Sequence, residues 1–308
     1  MLLQRLTKAL SRHLPRAAAG DDRGVHQARV TTRRLREAVP VLATGLKGSK
    51  AGKARRKIRR LTRALGTVRE LDVTMHLLDE LARSPEVSRS AVEDVRARVM
   101  REREERRTLM LERLEGVDAG KLDHRLASVS AALDSAVAEP WRKALAVRLL
   151  ARSRRLSAAL DAAGQMYAPD RLHAVRIAAK KLRYGLELAA DSGLRQAAPH
   201  LRTIKRVQDM LGKLHDLQVL QSHVAAVQVE QRSGRADSRA ALEDLARHIE
   251  DQCRYLHGRY VTMAPALREA AMVVRKGLVP QLAPTRRGGT TKMGLSRRSD
   301  PRAVASDR

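Results

Sequence analysis

Apolar residues recur along this chain at the three- and four-residue spacing of amphipathic helices, and no stretch of any length alternates with the two-residue period of a strand. Leu2, Leu3, Leu6, Leu10 and Leu14 line one side of a first helix predicted over residues 2–14. A loop around Gly20-Asp21-Asp22 leads into a helix at about 23–44, then a turn at 45–52. The next helix, at about 53–83, spans about 45 Å at 1.5 Å per residue. Ser84-Pro85-Glu86 reads as a helix start, with Ser as cap and Pro in the first helical position. It would open a charge-dense helix running to about 115, broken by Gly116 to Lys121. A shorter connecting helix follows at 122–137, and Pro140 opens the second half. Helices are then expected at about 140–164, 169–191, 196–230, 236–259 and 264–280, with a loop over 232–237 and Gly193 near a helix end. The fold class is all-α.

Within this pattern, residues 172–188 (LHAVRIAAKKLRYGLEL) carry two faces. Wound at 100° per residue, His173, Arg176, Lys180 and Arg183 fall within a wedge of about 80°. Leu172, Val175, Ala179, Leu182 and Leu186 take a separate, apolar face able to sit on a core. Residues 25–42 (VHQARVTTRRLREAVPVL) repeat the pattern. His26, Arg29, Arg33 and Arg36 stand where His173, Arg176, Lys180 and Arg183 stand, Arg34 matches Lys181, and the offset is 147 residues (26 to 173). A second pair follows in order. Leu65-Gly66 and Val68-Arg69-Glu70-Leu71 mirror Leu211-Gly212 and Leu214-His215-Asp216-Leu217 at an offset of 146 residues (66 to 212). Two segments repeated in order at nearly one spacing mean an internal duplication.

Charge sharpens the picture. The 308 residues have a net charge of +28 and a pI near 11.4, a self-repulsion that calls for an anionic partner. Aromatics are scarce, with no Phe, one Trp and four Tyr, so there is little to stack nucleobases on. The only cysteine, Cys253, rules out an intramolecular disulfide or a thiolate metal cluster. The amphipathic N-terminus lacks the apolar run of a signal peptide, and no run approaches a membrane span. A cytoplasmic protein without membrane attachment is expected.

The duplicated faces are the candidate site. From His26 to Arg36 the rise is about 15 Å, so the cations form a row suited to an extended anion rather than a cluster around one point. Arg offers a planar fork for phosphate oxygens and Lys a compact charge. Both histidines lie near helix starts, where the positive helix end opposes protonation. The long helices carry further rows: Arg56, Arg59, Arg60 and Arg63 on one face, and Arg202, Lys205 and Arg206, followed by Asp209 and Lys213. A solvated surface is the competing reading for Arg56 to Arg63. Gly66 and Gly212, costly inside helices, are expected where helices approach closely. Asp216 beside His215 suggests a supporting ion pair, since adjacent helix residues point about 100° apart. No P-loop, Rossmann, H-E-x-x-H or nucleophile motif is present, and the ten histidines show no metal-ligand spacing.

The ordered motifs, His-x-x-Arg-x-x-x-basic-basic-Leu-Arg twice and each followed by Leu-Gly-x-Val-Arg-Glu-Leu or Leu-Gly-x-Leu-His-Asp-Leu, resemble the CHAD domain (conserved histidine α-helical domain) over about residues 1–280. The resemblance implies two pseudo-symmetric antiparallel four-helix bundles flanking a basic central cavity or groove that binds inorganic polyphosphate, and association with polyphosphate granules. It also implies a CHAD protein standing alone, because the Glu-x-Glu-x-Lys signature of the CYTH domain sometimes fused to the family is absent. Repeat 1 is expected at about 1–115, a connector at about 116–138, repeat 2 at about 139–262, a last helix at 264–280, and a disordered basic tail at 283–308. The expected function is non-catalytic, without cofactor or metal. General nucleic-acid binding and, further off, polyphosphate processing are the rivals. Glu70 opposite Asp216, and Asp72 opposite Gln218, leave the role of those carboxylates open.

Overall fold

The structure is a computed structural model that describes residues 2–46, 50–134, 140–194, 196–231 and 236–282. The tail expected over 283–308 and most of the loop expected at 232–237 lie outside the described residues. Among the described residues all regular structure is helical.

Helix α1 (Leu2–Ala18) buries Leu3, Leu6, Leu10, Leu14 and Ala17, a stripe that runs on past the expected end at residue 14. Pro15 lies inside it: the proline gives up one hydrogen bond, and burial of Leu14 and Ala17 on either side holds the turn. Gly20, at φ +80, ends the segment, and Asp21 caps α2 (Asp22–Leu42) by accepting from the Arg23 N–H. A Cβ on Gly24 would sit 2.8 Å from the backbone of Arg16, so α1 and α2 cross at a contact only glycine permits. Then come α3 (Lys50–Leu81), α4 (Arg89–Glu115) and α5 (Ala119–Asp134). Ser84-Pro85 does not start α4; the helix begins five residues after Ser84, with Ser88 in the cap position. The apolar stripe Ala91, Val92, Val95, Val99 dates the start better than the Ser-Pro signal.

The second half contains α6 (Pro140–Ala163), α7 (Pro169–Asp191), α8 (Ala197–Glu230) and α9 (Ala236–Val273). The break expected near residue 260 is absent. Helix α9 continues through Pro265 because its buried face continues: Cys253, Leu256, Tyr260, Leu267 and Ala270. It passes into a π-helical turn at Val274–Leu278, which buries Val274 and Leu278, and ends in α10 (Val279–Leu282).

In each half sequential helices pack against one another: α1 on α2, α2 on α3 and α3 on α4, then α6 on α7, α7 on α8 and α8 on α9. Helix α5 packs on both α1 and α3, so it belongs to the first core. The halves meet where α3 and α4 touch α8, α4 touches α9, and α2 touches α6 and α7. One contiguous apolar cluster runs through both, from Leu3 to Leu282.

Candidate anion-binding site

The contact of α2 with α7 brings the two histidine-led stripes into one electrostatic field. Each stripe sits beside a buried face on its own helix, Val25, Ala28, Thr32, Leu35 and Val39 on α2 and Leu172, Val175, Ala179, Leu182 and Leu186 on α7. Burying those faces fixes the rotation of both helices and so the direction of the cations.

Lys180 reports the juxtaposition most clearly. Burial pulls its ammonium down to about 7, and the next causes are Arg33, Arg176, Arg29 and Arg36, three of them across the seam on α2. Burial also lowers Arg29 to about 10, with Arg33 the next cause, and lowers Arg176, on which Arg33 acts as well. Arg29 Nε is buried without a hydrogen-bond partner. Among the described residues Arg29, Arg33, Arg36, Arg176 and Lys180 make no ion pair. Five half-buried cations held together without an ion pair, with Asp216 and Glu70 acting only from the border on Arg176 and Arg29, cost the fold free energy.

Histidines crown the seam. His26 is lowered by burial, then by Arg69, Arg29 and Arg33, and His173 by burial, then by Arg176 and Lys180. The Nδ1 atoms of His173 and His215 lie 3.3 Å apart, with ring centroids 4.7 Å apart. Such a pair needs a proton on one nitrogen and a lone pair on the other, so both rings cannot be fully protonated. Burial, with Arg176, His173 and Lys180 next, pushes His215 down to about 4.

Two carboxylates border this field. Glu70, exposed on α3, stands 4.0 Å from His215 Nε2. Asp216 is raised by burial, which outweighs the attraction of Arg176. Beside them, between α3, α7 and α8, a cavity of about 350 Å³ has Arg176, Lys213, Gly212, Asp216, Asp209 and Glu80 on its walls. Gly212 leaves open space, because a Cβ there would meet nothing within 4 Å, and the same holds for Gly66. The close helix approach expected at these two glycines is therefore not present.

The other sequence candidates go elsewhere. Arg183 is bound by Glu187 at 3.2 Å, on the same helix, and Arg34 reaches Glu187 across the seam at 3.6 Å. Lys181 is exposed, and its carbonyl accepts from Arg152, which also pairs with Glu37. It lines a separate cavity of about 610 Å³ with Arg155 and Val147. Arg56, Arg59, Arg60 and Arg63 are exposed on α3, and Arg60 and Arg63 line a third cavity, described below. Arg202, Lys205 and Arg206 are exposed on α8, and Lys213 faces Glu80 at 3.6 Å.

Three residues of the field lie outside the cationic rows that the sequence marks: Arg69, His215 and Asp216. The signal for them was the second repeat, which aligns Arg69 with His215 and Glu70 with Asp216. Asp72, beside them in sequence, is turned into the protein and bound by Arg103 of α4 at 2.7 Å. Arg103 also holds Asp22 at the start of α2 and thereby ties α2, α3 and α4 together.

An all-α chain that gathers cations without ion pairs from α2 and α7 at one seam defines a helical scaffold with a basic face where those helices meet. The chain belongs to the CHAD domain family, whose model matches residues 1–225, ending within α8. It is also similar to the crystal structure of the CHAD domain from the plant Ricinus communis, at 21% identity and a TM-score of 0.56, covering 89% of this chain and 90% of that one. At that identity the likeness establishes the fold. No curated protein matches.

Proposed function

We propose that this protein binds inorganic polyphosphate along the α2–α7 seam without turning it over. Its family is one associated with polyphosphate binding in general. The observation that carries the reading is the set Arg29, Arg33, Arg36, Arg176 and Lys180, five clustered cations without an ion-pair partner among the described residues. A fold retains such repulsion where an anionic ligand supplies the missing charge. The two halves would be related by a pseudo-two-fold axis, with the seam as a concave basic surface between them. Polyphosphate carries a negative charge on each internal phosphate and has neither base nor sugar, so charge density and bidentate Arg contacts suffice to recognise it. Affinity would fall steeply with salt through counterion release. Association with polyphosphate granules follows from this reading. No helix among the described residues is long and apolar enough to cross a membrane.

The test is charge reversal. Arg29→Glu with Arg176→Glu should weaken polyphosphate binding far more than reversal of Arg286 and Arg287, which lie in the segment 283–308. Equal losses would mean diffuse attraction without a site. Duplex DNA that displaced labelled polyphosphate as readily as unlabelled polyphosphate would favour the nucleic-acid reading. The non-catalytic part rests on the chemistry of the row, which offers charge and donors, whereas phosphoryl transfer calls for a metal held by carboxylates or a positioned base. Phosphate release from polyphosphate with Mg²⁺ that stops on His173→Ala would overturn it.

A further inference from the structure

Arg56, Arg59, Arg60 and Arg63 of α3 do not join the seam, and where two of them do converge is informative. Lys57, Arg60 and Arg63 of α3 and Arg113 in the last turn of α4 line a cavity of about 390 Å³, floored by Leu61 and Ala64 and closed by the α4–α5 corner at Gly116 and Val117. No carboxylate lines it. Among the described residues Arg60, Arg63 and Arg113 make no ion pair, and Lys57 donates a 3.5 Å hydrogen bond to the Gly116 carbonyl. Asp118, which feels the charge of Lys57, is already bound by Lys121, both through its ammonium at 2.9 Å and through its backbone N–H at 2.8 Å. The volume is that of a small-ligand site rather than of a flat surface. Spacing explains the convergence: 57, 60, 61 and 64 share one face of α3, about one and a half to three turns from Arg69 along the axis and centred more than 90° around the helix from it.

We propose that this cavity is a second anion site, independent of the seam, that takes a short run of phosphates. Four donors of positive charge around a concave floor would bind the terminal oxygens of a compact oligophosphate, either free in solution or as an exposed stretch of a longer chain. The lining has no aromatic side chain on which a nucleobase could stack.

The probe is tripolyphosphate, titrated calorimetrically into the full chain at low salt. The wild type should bind more than one equivalent. Arg60→Ala with Arg63→Ala should remove one of them, or weaken it about tenfold or more per guanidinium, at unchanged helicity. Arg29→Glu with Arg176→Glu should leave that equivalent in place, so the seam and the outer cavity can fail separately. Unchanged tripolyphosphate stoichiometry and affinity in the Arg60/Arg63 variant would overturn the site. So would an equal loss from Arg154→Ala with Arg259→Ala, two exposed arginines elsewhere. The two sources are separated by repeating the titration with long-chain polyphosphate. A loss confined to tripolyphosphate identifies a free small anion, and a loss with both identifies a chain that leaves the seam and crosses the outer cavity.

Discussion

Arg29 and Arg183 stand on paired helices, belong to the same duplicated stripes and are both half-buried, yet they live in opposite electrostatic settings. Arg183, with Arg34 from across the seam, is neutralised by Glu187, just as Arg152 is neutralised by Glu37. Arg29 makes no ion pair among the described residues: Arg33 and Arg69 repel it, and Tyr184 and Glu70 attract it without bonding to it. Residue type and helical phase are the same in the two places. What differs is whether a carboxylate folds back onto the arginine, and that decides whether the charge joins α2 to α7 or remains available to a ligand.

The sharpest way to break the contrast is to invert the unpaired end. Each charge-assisted hydrogen bond is worth about 1.5–3 kcal/mol, so Arg29→Glu with Arg176→Glu should lower polyphosphate affinity by about a hundredfold or more, read by calorimetry. Because those arginines repel their neighbours, Arg29→Met should leave thermal stability equal or raised in the absence of ligand. A large loss of stability would mean that Arg29 holds the fold instead. At the paired end the expectation reverses. Glu187→Gln should cost about 1–3 kcal/mol in urea denaturation by leaving Arg183 and Arg34 without their partner, while polyphosphate affinity should rise because both charges are released to the ligand.

A smaller effect concerns pH. Lys180 is held at about 7 by burial and by Arg33, Arg176, Arg29 and Arg36, with His173 and His215 at the same end of the seam. A bound polyanion favours the ammonium and raises that value, so binding takes up a proton and affinity falls as pH rises above about 7. Between pH 6 and 9 the fall should be about tenfold for each unit by which the ligand raises the pKa, and Lys180→Arg should flatten it. Isothermal titration in buffers of different ionisation enthalpy reads the proton uptake directly. The smallest effect is expected from Asp216→Asn, which removes the half-buried carboxylate that attracts Arg176 and should tighten binding a few-fold.

These distinctions mark what the sequence could and could not reveal. Helix positions were legible because burial needs a 3.6-residue period, and His26 to Arg36 could be matched to His173 to Arg183 because duplication preserves phase. The break expected between residues 259 and 264 is absent because the apolar stripe does not stop there: Tyr260, Leu267 and Ala270 carry it on past Pro265. Helical phase could say that Arg56 to Arg63 share a face, but not that the face looks away from the seam. Nor could it foresee that Glu187, 153 positions after Arg34 in sequence, would lie beside it (34 to 187). Gly66 and Gly212 were assigned to close packing on cost alone, whereas open space surrounds both.

The most direct test of the central claim is a crystal structure of the protein soaked with medium-length polyphosphate. The account predicts a run of phosphates within hydrogen-bonding distance of Arg29 and Arg33 on one side and Arg176 and Lys180 on the other. Phosphates found only on the outer faces of α3 or α8, with the seam unoccupied, would contradict it.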